Sequence, residues 1–128
     1  MPIRFHYDAE RELLINIGEG SIGIEDIDRL REERRQAGVP RSVRHTLSDM
    51  RRARFDFDIA TLKEHESGLS EEEFAGNRQA EIVDDPRTTA FLLSWRRWLP
   101  EGVLVGVFST PEAAYEWLGV TRVEGDLD

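Results

Sequence analysis

The chain has 128 residues, of which 39% are hydrophobic and 34% are charged, and its formal net charge is −9 at pH 7. A chain of this length forms one domain with a substantial core. The absence of cysteine excludes a disulfide framework and a thiolate metal site, and the acidic balance argues against nucleic acid as a partner.

Hydropathy along the chain places the protein away from membranes. No apolar stretch approaches the length of a membrane span. The first eight residues lack an apolar signal core and lead directly into a strand pattern. We therefore expect no membrane insertion and a cytoplasmic location.

The N-terminal half predicts two strands, a helix and a third strand. Apolar and polar residues alternate over residues 3–7, and a second apolar run at 13–17 indicates an antiparallel hairpin. The glycines of residues 18–21 interrupt this pattern and predict a turn into a helix over 24–37. A third strand is predicted at 42–50.

The middle of the chain predicts two short helical segments. Ile59 and Leu62 mark the first, with Asp56 or Asp58 as its cap. A helix start follows at residues 69–74, where two pairs of residues have the spacing of a capping box and of a hydrophobic staple. These pairs are Ser70 with Glu73 and Leu69 with Phe74.

The C-terminal third predicts two strand–helix units. Residues 80–83 form the fourth strand, and Asp85 caps a helix that Pro86 opens and that runs to residue 99. The apolar run at 103–108 is typical of a strand covered on both faces. Ser109 or Thr110 then caps a last helix, which begins at Pro111 and stops at Gly119.

The order ββαβα(α)βαβα predicts an α/β fold. We expect a five-stranded, mixed but mostly parallel sheet, with an N-terminal antiparallel hairpin, the first strand at an edge and about four helices. Residues 1–120 make up this domain. Residues 121–128 form an acidic tail that is expected to be frayed.

Four stretches together resemble a known family. They are the hairpin and acid-capped helix through residues 18–38, SDMR at 48–51, AEIVDDP at 80–86, and VFSTPEAAYEWL at 107–118. With them the chain resembles the SpoIIAA-like branch of STAS-type domains, which is related in fold to bacterial anti-sigma-factor antagonists and, more distantly, to lipid-binding CRAL-TRIO domains. Phosphoswitched members of the wider group carry a Ser or Thr where this chain has residues 55–60, and no hydroxyl occurs here before Thr61. A phosphorylation switch is therefore not expected at that point.

No motif in the sequence carries catalytic or metal chemistry. His6, His45 and His65 lack metal-ligand spacing, and the acidic residues around His65 lack the spacing of a calcium loop. Residues 18–23 match neither a P-loop nor a GxGxxG motif. Arginines within 41–54 form either a local anion site or scattered surface charge. We predict no catalytic residue, cofactor or metal.

The carboxyl ends of the strands are the predicted binding rim. In open parallel sheets, ligands bind beyond these ends, where loops converge. Five charged residues lie there and would give a mixed-charge surface suited to a polar partner. They are Asp49, Arg51, Asp84, Asp85 and Arg87.

The predicted helix 86–99 has more apolar surface than one face of a sheet covers. Phe91, Trp95 and Trp98 share one side, Leu92 widens it, and Leu93 lies on another. We expect an interface through Leu92, Trp95 and Trp98, and a homodimer that hides this surface. A thick core stripe is the alternative.

Three function classes follow from the sequence. The resemblance implies a non-enzymatic binding or regulatory module that acts through contacts with another protein, whose identity the sequence does not give. The alternative is a carrier of a small apolar, lipid-like ligand, with a pocket between the sheet and the helix bearing Phe91, Trp95 and Trp98. A small enzyme using Asp49, His45 or the acidic loop ranks last.

Overall fold

A computed structural model describes residues 2–66, 76–97, 99 and 102–128. The described elements are β1 (Ile3–Asp8), β2 (Leu13–Ile22), α1 (Ile24–Gln36), β3 (His45–Phe55), α2 (Ile59–Glu66), β4 (Arg78–Ile82), α3 (Pro86–Arg96), β5 (Leu104–Phe108) and α4 (Pro111–Leu118). The capping box and staple predicted at residues 69–74 lie outside the described residues.

The five strands form one mixed sheet in the order β1-β2-β3-β4-β5. β1 pairs antiparallel with β2, and every later pair is parallel. The predicted α/β fold, with its antiparallel hairpin and edge strand, is therefore confirmed. Each parallel crossover advances to the next strand in the same direction. Right-handed crossovers therefore place α1, α2 and α3 on one face of the sheet and leave the other to α4.

The two faces have separate cores. The first, here called the α4 face, contains Leu13, Ile15, Leu47 and Ile82, which pack against α4 through Ala114, Tyr115 and Leu118. The second, here called the three-helix face, contains Ile3, Met50 and Val83, which pack with Leu30 of α1 and Leu92 of α3. Successive strand residues alternate between the two faces.

β2 and β3 are longer than the sequence pattern indicated. β2 continues through the glycines at 18–21, because Gly18 lies where a Cβ would meet Met50 Sδ at 2.8 Å and Ala53 Cβ at 2.9 Å. This close approach, beside a register shift between Ile17 and Glu19, keeps the strands paired to Ile22 and Phe55. The predicted turn at Gly18 and strand end at Met50 are wrong.

The helix caps follow ordinary capping chemistry. Asp85 Oδ1 accepts a hydrogen bond from Thr88 N at 2.8 Å, with Pro86 at the first helical position. Thr110 Oγ1 accepts from Ala113 N, and Gly119 ends α4 with φ at 73°. These predictions are confirmed. Of the two caps considered for α2, Asp58 is the one used, since its Oδ1 accepts from Thr61 N.

Two expectations at the C-terminal end are wrong. β5 is an edge strand, and Leu104 is 54% exposed, so the strand is not covered along its length on both faces. The acidic tail is not frayed. Asp126 accepts two hydrogen bonds from the Arg11 guanidinium at 2.8 Å and one from the Tyr115 hydroxyl at 2.6 Å. Leu127 packs against the core of the α4 face.

Candidate functional site

The predicted rim residues come together only in part. Asp49 accepts hydrogen bonds from Arg51 Nε at 2.9 Å and Nη2 at 2.7 Å, and it is 7% exposed. Burial opposes ionisation, but the Arg51 bonds hold the pKa of Asp49 below its ordinary value. Asp84 lies near enough for its charge to help raise the pKa of Arg51. Asp85 instead caps α3, and Arg87 is exposed on that helix.

Asp49 and Arg51 also differ in place from the prediction. β3 extends to Phe55, so both residues lie within the strand instead of beyond its end. Asp49 and Arg51 lie two and four residues after Leu47 on β3. Because side chains alternate along a strand, both lie on the α4 face with Leu47.

The apolar surface of α3 is directed mainly into the protein. Leu92 is 3% exposed and belongs to the core, so its side chain is not available to a partner. Trp95 is half-buried and packs against the same core, while Trp98 lies outside the described residues. The homodimer stays a prediction, and Leu92 does not supply surface for it.

A cavity of about 610 Å³ lies between the sheet and the helices of the three-helix face. Small-molecule sites are concave, mostly apolar spaces of roughly 300–1,000 Å³ with a few placed polar groups. The sheet residues form the floor, α1 and α3 contribute Leu30 and Leu92, and α2 contributes Leu62. The space is large enough for a small organic molecule.

The floor of the cavity carries a row of polar side chains across three adjacent strands. Asn16 of β2 is in register with Ser48 of β3, and Ser48 is in register with Glu81 of β4. All three line the cavity and are buried. Neighbouring strands are about 4.8 Å apart, so one small polar group of a ligand can contact two members of this row.

Glu81 is a buried carboxyl without a partner among the described residues. It is 6% exposed, and no described group donates a hydrogen bond to it or pairs with its charge. Burial raises the pKa of Glu81 to about 8. A buried carboxyl that costs stability and has no polar partner among the described residues is a candidate for a functional role.

Two asparagines of the floor have hydrogen-bond partners for only some of their polar atoms. Asn16 Nδ2 donates to Ser48 Oγ at 3.2 Å, but Asn16 Oδ1 is buried with no partner in the described part of the chain. Asn77 Nδ2 donates to Val43 O and to Thr46 Oγ1, and Asn77 Oδ1 likewise has no partner there. Buried acceptors of this kind cost free energy until something donates to them.

One wall of the cavity is aromatic. The Phe55 and Phe91 rings stack with their centroids 4.9 Å apart, and Phe57 meets Phe91 edge-on at 5.6 Å. Trp95 continues the wall one turn along α3, and its buried indole Nε1 has no hydrogen-bond partner among the described residues. The wall offers apolar contact in the same cavity as the polar row.

The cavity opens beside α1. Its exposed lining residues, among those described, all fall between positions 28 and 41. The charged groups of the lining outside the floor lie in this range too: Asp28, Arg31, Glu32, Arg34, Arg35 and Arg41. Glu32 and Arg35 form an ion pair with each other, so the mouth is a mixed-charge surface.

The sequence reasoning placed a pocket near Phe91 and Trp95 but missed its polar floor. The signal was a polar residue inside each apolar strand: Asn16 within 13–17 and Glu81 within 80–83. Ser48 lies in the SDMR stretch that carries the family resemblance, and that stretch does not indicate a cavity. Their alignment depends on the register between strands, which the sequence of one strand does not contain.

Among the described residues, no group of three or more His, Asp or Glu side chains could hold a metal ion. His65 is instead 2.7 Å from Asp28 Oδ1, linking α2 to α1. No helix within the described ranges is long and apolar enough to cross a membrane.

Comparison with known structures defines the fold class. The chain has a SpoIIAA-like fold, as its topology and its likeness to a solved structure show. That structure is an uncharacterised protein from the DUF3478 family, with a SpoIIAA-like fold, from Shewanella loihica PV-4. The likeness covers 91% of this chain and 93% of that one, with a TM-score of 0.62 and 18% sequence identity. No protein-family model matches the sequence, and no curated protein matches it.

Proposed function

We propose that this protein is a binding module that holds one small, largely apolar molecule in the cavity of the three-helix face. The observation that carries the proposal is the buried row of Asn16, Ser48 and Glu81 on the cavity floor. A cavity kept only by imperfect packing would be lined by apolar groups, since buried polar groups without partners are costly.

The remaining lining supports the same function. Aromatic rings and aliphatic side chains surround most of the space, which suits the apolar body of a ligand. The polar row would then orient one polar end. This arrangement corresponds to the small-ligand carrier considered from the sequence, with a polar contact added to its apolar pocket.

The test uses the neutral fluorescent probe N-phenyl-1-naphthylamine, whose emission rises in apolar surroundings. Gln79 is half-buried and lines the floor. We expect saturable binding to the unmodified protein, loss of binding in Gln79→Phe, which fills the space, and retained binding in Gln79→Ala. Circular dichroism checks that both variants are folded. No saturable binding to the unmodified protein, or equal binding to a folded Gln79→Phe variant, would refute the proposal.

A contact surface for another protein is the second candidate. It is favoured by the charged residues of the α4 face, where Arg51 pairs with Asp49 and lies near the exposed Asp84. Such a patch suits a polar partner surface and lies across the sheet from the cavity. Cross-linking of the protein in extract, repeated with Asp84→Ala, tests it. An unchanged cross-linking pattern would place any partner elsewhere.

A further inference from the structure

The floor of the cavity is rich in hydrogen-bond acceptors that lack donors. Glu81 offers two carboxyl oxygens, and Asn16 Oδ1 in the same row is buried without a partner. No described residue donates to either group. A ligand that brings donors to this row removes two desolvation costs at once.

The ionisable group on the floor further limits the chemical class of the ligand. Glu81 is the one ionisable side chain among the described floor residues, and it becomes a carboxylate when a cation binds beside it. A dehydrated carboxylate is stabilised most by a cation within hydrogen-bond distance. Phe55, Phe57, Phe91 and Trp95 form one wall of the same cavity, which offers apolar contact to the body of such a ligand.

We propose that the ligand of this cavity is an organic amine, whose protonated amino group binds Glu81 at one end of the polar row and whose apolar body lies against the aromatic wall. This inference rests on the proposed function and adds the chemical class of the ligand. A carboxylic acid is disfavoured, since its anion would meet the Glu81 carboxyl and would bring no hydrogen-bond donor to the floor.

The charged residues at the mouth of the cavity do not reverse this preference for an amine over a carboxylic acid. Its groups lie in α1 and the segment after it, where Glu32 and Arg35 already pair with each other. Asp28, Glu32, Arg35 and Arg41 are exposed, so water and salt screen their charges. Arg31 and Arg34 are half-buried and have other interactions within the protein. Glu81 is 6% exposed and lies on the cavity floor, so its contact with the ligand is screened less than a contact at the mouth.

Binding of the amine is coupled to a proton. In the empty cavity at neutral pH, Glu81 carries a proton, because burial raises its pKa to about 8. The amine in water is already protonated. When the ion pair forms, the Glu81 O–H bond breaks, the proton passes to the buffer, and the carboxylate accepts hydrogen bonds from the ammonium group. About one proton is therefore released for each amine bound.

The experiment displaces N-phenyl-1-naphthylamine with three ligands of equal chain length: octylamine, 1-octanol and octanoate. We expect octylamine to bind about tenfold more tightly than 1-octanol, the scale of one charge-assisted hydrogen bond, and octanoate to bind most weakly. Calorimetry of octylamine binding in two buffers of different ionisation enthalpy measures the released proton.

Two variants test whether Glu81 causes the preference for octylamine. Glu81→Gln should keep probe binding, lose the preference for octylamine and lose the proton release. Glu116→Gln, which removes an exposed carboxylate from α4, is the matched control and should behave like the unmodified protein. Equal binding of octylamine and 1-octanol, tightest binding of octanoate, or an amine preference that survives in Glu81→Gln would overturn the inference. In each of these cases probe binding would still support the proposed function, whereas loss of probe binding in the unmodified protein would refute both.

Discussion

The two faces of the sheet are built from alternate residues of the same strands, yet they differ in polarity and in filling. On the α4 face, β2, β3 and β4 contribute Leu13, Ile15, Leu47 and Ile82, and α4 covers them closely. On the three-helix face, the neighbouring positions include Asn16, Ser48 and Glu81, and a cavity lies above them. One face therefore supplies a packed core beneath α4, with a pocket of about 380 Å³ only at its edge beside the tail. The other face carries the candidate site at a cost in stability.

The difference explains how a small, highly charged domain can maintain a cavity. Dry, close-packed residues on the α4 face contribute stability that does not depend on a ligand. Natural proteins keep unfavourable polar groups where function requires them and compensate elsewhere. Mutations in the core of the α4 face should therefore lower stability and leave ligand binding unchanged. Mutations at the cavity should change ligand binding more than stability.

The largest effect on stability is expected on the α4 face. Leu47 is fully buried in its core, so Leu47→Ala should lower the free energy of unfolding by about 2–5 kcal/mol. Its neighbour Ser48 faces the cavity, and Ser48→Ala should cost only about 0.5–1.5 kcal/mol, the value of its hydrogen bond with Asn16. Urea denaturation measures both. Equal losses would contradict the division between the faces.

Glu81 should make stability depend on pH in an unusual direction. Its folded pKa is raised to about 8 from an ordinary 4.5, so between these values the folded protein holds a proton that the unfolded chain releases. The contribution of Glu81 to the free energy of unfolding is complete below pH 4.5 and is lost as the pH rises from 4.5 to about 8. The loss is about 1.4 kcal/mol per pH unit inside it.

Urea denaturation across this pH window measures the slope, and Glu81→Gln should abolish the Glu81 contribution. All other ionisable groups are common to both proteins, so the difference between their slopes isolates Glu81. If the two proteins show the same slope, Glu81 is not buried as the structure places it.

A smaller effect is expected where the tail closes the α4 face. Asp126→Ala removes the acceptor of hydrogen bonds from Arg11 and Tyr115 and should cost about 1–3 kcal/mol. The Arg11 bonds also hold the pKa of Asp126 below its ordinary value. Its contribution is therefore present at neutral pH and is lost on acidification. Asp128→Ala is the control at an exposed position, and an equal effect of both variants in denaturation would show that the tail is not anchored.

The smallest effect in this series is expected at the start of α4. Thr110→Ala removes the side-chain acceptor for Ala113 N and should cost about 1 kcal/mol. Thr110→Ser keeps the oxygen and should be nearly neutral. Probe binding in the cavity should be unchanged in both. A loss of binding in a folded Thr110→Ala variant would show that the two faces are coupled.

Much of the fold could be predicted from local sequence patterns. The apolar run before Thr110 and the cap, proline and glycine around α4 act within a few residues, so the sequence of that segment is enough. The alternation of strands with helices likewise predicts parallel pairing. Strand lengths were underestimated, because Gly18 was interpreted as a turn when its role is a close approach to Met50 and Ala53 on the next strand.

The candidate site could be predicted only in outline. The aromatic side chains of α3 indicated an apolar pocket from the helix pattern alone. Asn16, Ser48 and Glu81 are 32 and 33 positions apart along the chain, and pairing between strands brings them into one row. The tail shows the same limitation, since the bond from Arg11 to Asp126 spans 115 positions.

A methyl-resolved NMR titration with N-phenyl-1-naphthylamine tests the central claim most directly, because it observes both faces at once. Leu14, Met50 and Leu92 line the cavity, while Leu47 and Ile82 belong to the α4 face. We predict saturable shifts of the first three methyl signals and unchanged signals from the other two. Shifts confined to Leu47 and Ile82, or no saturable shift at Leu14, Met50 and Leu92, would contradict the assignment of the cavity as a binding site.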